Sequence, residues 1–316
     1  MRNIMKRIFS YAMIIALLFT AETVLAQGYT FRVLANKGSN KLKKANTGQL
    51  VALKTGATLN SGDALIAEDG AYIGLMHKSG KTIEVRKGGT LAVADLEKKV
   101  TTGTTTVASR YAKFVSDKMN ETESGNYKRN MNATGAVSRG ATGSISLMLD
   151  GESPEFLGNM AVIRWNPIME NGVPVEGVNY TVKVKNIFDV EVMNVKTDKS
   201  SVVLDFTKPE LQNEEGLYII EVSKTDDAEY SSAPIGLRKK SGDDVNEIVN
   251  DFQSLKSEVS EDSPLSKLIF ASFFEEKGLL LDALTQYEEA IKMAPEITDF
   301  QELYKNFLIT NGLSPE

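Results

Sequence analysis

The hydrophobic period of this chain turns from strand-like to lastingly helical near residue 240, and that change limits the folds open to it. Upstream of Lys239-Lys240-Ser241-Gly242 the apolar residues come in short runs separated by Gly and Pro, the pattern of strands and turns. Downstream, Val245, Ile248, Val249, Phe252 and Leu255 recur at three- and four-residue intervals, which places them on one face of a helix. Runs of strands followed by runs of helices imply separate layers or separate domains, so the chain is read as multi-domain.

The first 26 residues stand apart from both halves. Arg2, Lys6 and Arg7 precede an uncharged apolar run over 11–19, and Val24-Leu25-Ala26 supplies modest side chains before Gln27. That is the layout of a secretory signal peptide. The run is shorter than the ~20 residues of a comfortable membrane span, so cleavage is expected, with an uncleaved anchor as the alternative. The sequence contains no cysteine, which removes disulfides, thiolate zinc sites, thiol catalysis and lipid attachment at a cysteine. A basic leader on a cysteine-free chain points to a bacterial periplasm or secretion, soluble once the leader is removed, with no later transmembrane segment expected. The net charge is −6; without residues 1–26, which carry three positive charges and one negative, it is −8. No electrostatic footprint for nucleic acid follows. Lys41, Lys43 and Lys44 form one basic cluster, read as a solvated loop.

Residues 27–100 read as a small all-β domain. Its clearest element is a hairpin: 71–77, the turn Lys78-Ser79-Gly80-Lys81, then 82–86, where Ile83 and Val85 alternate with polar neighbours. Residues 101–154 read as a flexible linker, polar and rich in Asn, Ser, Thr and Gly, with one amphipathic helix at about 107–119 carrying Tyr111, Phe114 and Val115. Residues 155–238 hold four β-prone runs, at 161–165, 180–184, 202–206 and 217–222, which suits a β-sandwich. Residues 243–312 read as helices, with Pro264 opening the second, Pro295 stopping the third, and Asn311-Gly312 capping the fourth.

Three resemblances accompany these patterns. The run Leu53-Lys54-Thr55-Gly56-Ala57-Thr58-Leu59-Asn60-Ser61-Gly62-Asp63-Ala64-Leu65 resembles the L-x-x-G-x-x-L-x-x-G-D-x-L of FecR-type periplasmic domains, over about 50–100. That family relays signals across the envelope but carries a cytoplasmic segment and a membrane helix, in place of which this chain has a leader. Trp165 and the strand 180–184 resemble immunoglobulin-like or fibronectin type III sandwiches. Ala271, Phe274, Gly278, Ala283, Tyr287, Ala290 and Pro295 resemble a single tetratricopeptide repeat over about 264–297, with Lys267 where a bulky aromatic is usual. Such repeats imply a groove for a protein partner, here lined by Lys267 and Glu275.

Catalytic chemistry finds little footing. His77 is the single histidine, so no His pair exists for a metal; it is expected on the face shared by Ile73 and Leu75. Glu214-Glu215, Asp226-Asp227 and Asp243-Asp244 lack the spacing of a calcium loop and are expected to be solvated. Ser144 does not sit in a G-x-S-x-G elbow, and 135–143 lacks the Lys-Ser/Thr ending of a phosphate loop. Trp165 could stack on a ligand, but a sandwich core is the commoner place for it. The expectation is therefore a non-enzyme without metal or cofactor, binding a protein or cell-envelope partner, with Lys267, Glu275 and Trp165 as candidate contacts. The alternatives are a FecR-type signal relay and a polysaccharide hydrolase built on carboxylates remote in sequence.

Overall fold

In the N-terminal domain the glycine-punctuated runs fold as short strands: β1 (Phe31–Lys37), β2 (Lys41–Lys43), β3 (Leu50–Ala52), β4 (Thr58–Leu59), β5 (Ala64–Ala67), β6 (Tyr72–His77), β7 (Thr82–Val85) and β8 (Gly89–Ala92), followed by α1 (Val93–Lys99). The computed structural model describes residues 28–100, 107–123, 145–149, 154–212, 216–259 and 263–313. The leader expected at 1–26 and most of the connector expected at 101–154 lie outside the described residues. Two four-stranded sheets, ordered β4-β1-β6-β7 and β3-β2-β5-β8, close over a core of Phe31, Val33, Leu42, Leu65, Ile73 and Leu75. The expected hairpin is present, with Ile73 opposite Val85 and Leu75 opposite Ile83. The aspartate of the Gly62-Asp63 pair is a buried clamp. Its carboxylate accepts the amides of Ala45 and Asn60, each at 3.0 Å, and pairs with Lys44 at 3.2 Å. Burial alone would raise its pKa, but those amides and the Lys44 ammonium outweigh it and hold the carboxyl below its ordinary value.

β6 is buried along its whole length, which alternation alone does not predict. Ile73 and Leu75 face the domain core, while Tyr72 and Met76 belong to a second apolar cluster made largely by helices. That layer contains α2 (Val107–Glu123), α3 (Asp244–Glu258), α4 (Pro264–Glu276), α5 (Leu280–Met293) and α6 (Thr298–Thr310). Ser263 caps α4, accepting the Ser266 amide, with Pro264 in the first turn. Gly278 (φ +71°) turns the chain between α4 and α5, a left-handed position that favours glycine.

The helix expected inside the linker corrects that reading. α2 packs against α3, α4 and α6, with Ala108, Tyr111, Ala112, Val115 and Met119 buried. Tyr111 meets Phe273 edge-on at 5.5 Å. It is thus a core element of the helical layer, supplied from far upstream. Its apolar stripe revealed an amphipathic helix, but the partner lies more than 120 residues away, beyond the reach of local periodicity.

The sandwich comprises β9 (Glu155–Phe156), β10 (Met160–Arg164), β11 (Met169–Glu170), β12 (Val173–Pro174), β13 (Tyr180–Asn186), β14 (Glu191–Thr197), β15 (Ser201–Asp205), β16 (Leu217–Lys224), β17 (Asp227–Ser231) and β18 (Ile235–Lys239). One sheet runs β14-β13-β16-β18-β9, with β17 beside β16, and faces the β10-β15 pair across Phe156, Ile163, Val182, Leu204 and Ile220. Tyr218, near the start of β16, donates its hydroxyl to the Leu211 carbonyl seven residues back. The bond ties the start of β16 to the preceding connection, a corner of the kind that immunoglobulin-like sandwiches build with a tyrosine.

The helical layer joins the two β-domains. On one side Asp299 accepts the Thr55 hydroxyl at 2.9 Å, and Tyr72 meets Phe300 edge-on at 5.8 Å. Glu84 accepts the hydroxyls of Tyr72 and Ser263. On the other side α5 lies along β9 and β10, where Arg164 pairs with Glu288 at 2.6 Å and the Leu157 amide donates to Asp282 at 2.9 Å. Two β-domains with a helical layer between them is the architecture. No described helix is long and apolar enough to cross a membrane.

Candidate interaction site

The three residues proposed as contacts are all engaged inside the chain. Trp165 is 1% exposed and packs edge-on against Tyr180 at 5.3 Å, so it is sandwich core and not a stacking platform. Lys267 pairs with Glu289 at 2.5 Å. Glu275 pairs with Lys118 of α2 and accepts the Tyr287 hydroxyl at 3.1 Å. Burial, reinforced by Glu275, pushes the Tyr287 phenol well above its ordinary pKa. The Glu275 end of the α4 side expected to line an open groove is therefore covered by α2, with Arg110 pairing with Glu276 beside it, while Lys267 is engaged by α5.

His77 falls on the side of β6 shared by Ile73 and Leu75, edge-on to Phe31 at 5.2 Å. Its Nδ1 accepts the Ser79 amide at 3.1 Å and lies 2.7 Å from the Ser79 hydroxyl, while Nε2 faces Glu97 at 3.5 Å. Histidine, hydroxyl and carboxylate do meet, a grouping that sequence distance concealed. The one lone pair on Nδ1 already holds the hairpin turn through the amide, so the arrangement reads as a turn clamp and not a nucleophile with its base. Asp226 pairs with Lys224 and Asp244 with Lys240. Glu214-Glu215, Ser144 and 135–143 lie outside the described residues. Among the described residues no group of three His, Cys, Asp or Glu side chains is placed to hold a metal.

Among the described residues two tips of the sandwich expose apolar side chains, one at Ile187, Phe188 and Val190 and one at the loop end beyond Trp165, and only the second borders a cleft lined by charged groups. Asn171 (φ +52°) and Gly172 (φ +79°) form the tight turn of a two-residue hairpin. It pairs Met169 with Pro174 and Glu170 with Val173. The ribbon stands in solvent: Met169 is 51% exposed, Val173 64% and Val175 36%. Its base is held firmly, since Val175 donates to the Ile168 carbonyl at 2.9 Å and the Ile168 amide donates to the Tyr180 hydroxyl at 3.2 Å. Trp165 thus supports the ribbon from below, through Tyr180. Beside the ribbon lies a cleft of about 380 Å³ whose charged groups are Glu176, Lys196, Lys224 and Asp226, with Asn179 and Thr225 between them. The Thr225 amide donates to the Asn179 carbonyl at 2.8 Å, extending the β13–β16 pairing into the cleft.

A ribbon that exposes Met169, Val173 and Val175 beside a cleft carrying charges of both signs can clasp a chain that offers an apolar side chain and polar backbone. Sequence reading passed over this hairpin, although Asn-Gly between Met169 and Val173 is a strong short-range hairpin signal.

No protein-family model and no curated protein matches the chain. Among solved structures it is similar to chicken CNTN1 FN1-FN3 domains, with 9% identity and a TM-score of 0.23, over 67% of this chain and 64% of that one. The chain thus spans under two thirds of that structure's length, and the likeness is too slight to argue from.

Proposed function

We propose that this protein is an exported, non-catalytic adaptor of a bacterial cell envelope, periplasmic or secreted, which holds a protein or cell-wall partner at the loop end of its sandwich. The observation that carries this reading is the Met169–Val175 ribbon, apolar, exposed and held at its base beside an open cleft. Neighbouring apolar groups exposed on loops of a folded scaffold are a feature of interaction sites. Further support comes from the leader at 1–26, from the FecR-type run at 53–65, and from the repeat-like helix pair α4–α5. In that pair Ala271, Ala283 and Ala290 permit close approach and Tyr287 fills the groove.

The test is co-purification from a cross-linked envelope fraction, comparing the native chain with Met169→Glu/Val173→Glu. A partner retained by the native chain and lost from the variant supports the site; equal recovery refutes it. The mature N-terminus, read by mass spectrometry, separates a released adaptor (beginning at Gln27) from an anchored FecR-type relay that keeps residues 1–26. One observation favours the hydrolase alternative, namely that Glu176 and Asp226 line the same cleft. Turnover of envelope polysaccharide that disappears in Glu176→Gln or Asp226→Asn would replace the adaptor reading.

A further inference from the structure

The cluster Lys41-Leu42-Lys43-Lys44, expected as a solvated loop, contains an inner strand of a sheet. β2 lies between β3 and β5, and its register fixes what surrounds each lysine. Lys41 has Ala52 on one side and Ile66 on the other, and Lys43 has Leu50 and Ala64. Thr90 and Ala92 of β8 complete the rows. Leu42 and Leu65 point into the core, so these eight side chains form the outer face, and all are exposed or half-exposed.

Two properties mark this face. First, among the described residues neither Lys41 nor Lys43 has a carboxylate within ion-pair distance, whereas neighbouring Lys44 pairs with Asp63 at 3.2 Å. Glu68 lies at the rim, following β5, and is occupied by the Ser39 amide at 2.8 Å. Second, the neighbours are short or apolar, so the two ammonium groups rise above a low floor with Leu50 and Ile66 beside them.

We propose that this face binds an extended acidic peptide segment of a protein partner. Alternate side chains along a strand stand about 6.6–6.8 Å apart, and the same spacing separates alternate side chains of any extended peptide. Carboxylates at positions i and i+2 of such a segment share one side of its backbone and can each meet one lysine, while the alternate side chains face away from the sheet. Solvent-exposed ion pairs are individually weak and screened by salt. Binding is therefore modest and salt-sensitive, and adds to engagement at the sandwich loops. The site goes beyond the adaptor reading, since it lies on a different domain from the ribbon.

The test uses the intact mature chain and a fluorescent peptide alternating Glu with Val, measured by anisotropy at 50 and 500 mM salt. The expected result is millimolar or tighter binding, weakened at least fivefold by the high salt and at least tenfold by Lys41→Glu/Lys43→Glu. The variant keeps the inward Leu42, and its melting temperature confirms folding. Equal binding by the variant, equal binding of a Gln-for-Glu peptide, or no binding at millimolar concentration would overturn the proposal. So would a sulfated polysaccharide that competes through the same lysines and binds better than the peptide. Met169→Glu/Val173→Glu, which tests the loop site, is expected to leave peptide binding unchanged, so failure of one site is distinguishable from failure of the other.

Discussion

Replacing Asp282 with asparagine should remove most of the pH dependence of the junction between sandwich and helices. Asp282 sits in the first turn of α5 and accepts the Leu157 amide at 2.9 Å. It lines a cavity of about 130 Å³ with Phe156, Met160, Phe252, Phe274 and Leu281. Burial among these groups pushes its carboxyl up to about 7, against the partial opposition of the Leu157 amide and its own. Because the folded pKa lies above the unfolded value of 3.8, the folded state keeps a proton that the unfolded chain has released. Stability from this group is therefore fully present below about pH 4, falls as pH rises to about 7, and is level above that. The gap corresponds to about 4 kcal/mol at ~1.4 kcal/mol per factor of ten, and partial solvent access brings it to about 2–3 kcal/mol. Asparagine keeps an acceptor for Leu157 but cannot ionise. Thermal melts from pH 4.5 to 8.5 should show native chain and variant converging at the acid end. Above pH 7 the variant should melt roughly 5–10 °C higher. A difference that does not change with pH, or a variant less stable at pH 8, would refute the argument that the apolar cavity sets this pKa.

Three further outcomes follow from the packing. Gly80→Ala should cost at least ~2 kcal/mol in denaturant titration, because φ is +87° and the added Cβ would lie 1.8 Å from the Ser109 Cβ and 2.2 Å from its Cα; native-like unfolding would mean that the hairpin does not dock on α2. Tyr111→Ala should cost about 3–5 kcal/mol, whereas Phe114→Ala, at a side chain 38% exposed on the same helix, should cost much less; equal effects would return α2 to the status of a linker helix. Tyr218→Phe should cost about 1–2 kcal/mol through the lost bond to Leu211, and an unchanged melting temperature would remove the corner from the account of sandwich stability.

Much of the architecture is legible in the sequence alone, for identifiable reasons. The 71–86 hairpin, the four runs of the sandwich and the helices opening at Pro264 and stopping before Pro295 all rest on side-chain alternation, turn residues and caps within a few positions of one another. Strands β14 and β18 were not singled out because Glu191–Thr197 and Ile235–Lys239 are half-polar, as suits strands exposed on one face. The candidate site was legible only as an Asn-Gly dipeptide. Its exposure, its support by Tyr180 and Trp165, and the cleft beside it depend on loops brought together from 166–179, 196 and 224–226.

The sequence by itself determined which segments become strands or helices and, through its leader pattern and missing cysteines, the expectation of export. Those are local properties, set by dihedral preference, side-chain period and residue chemistry. Tertiary structure decided which surfaces remain free. It placed α2 over the side of α4 where Glu275 lies, buried Trp165, covered the second face of β6, and left the Met169–Val175 ribbon and the Lys41–Lys43 face open. Burial depends on what arrives from distant parts of the chain, and nothing in the spacing of Lys267, Glu275 or Trp165 records that arrival.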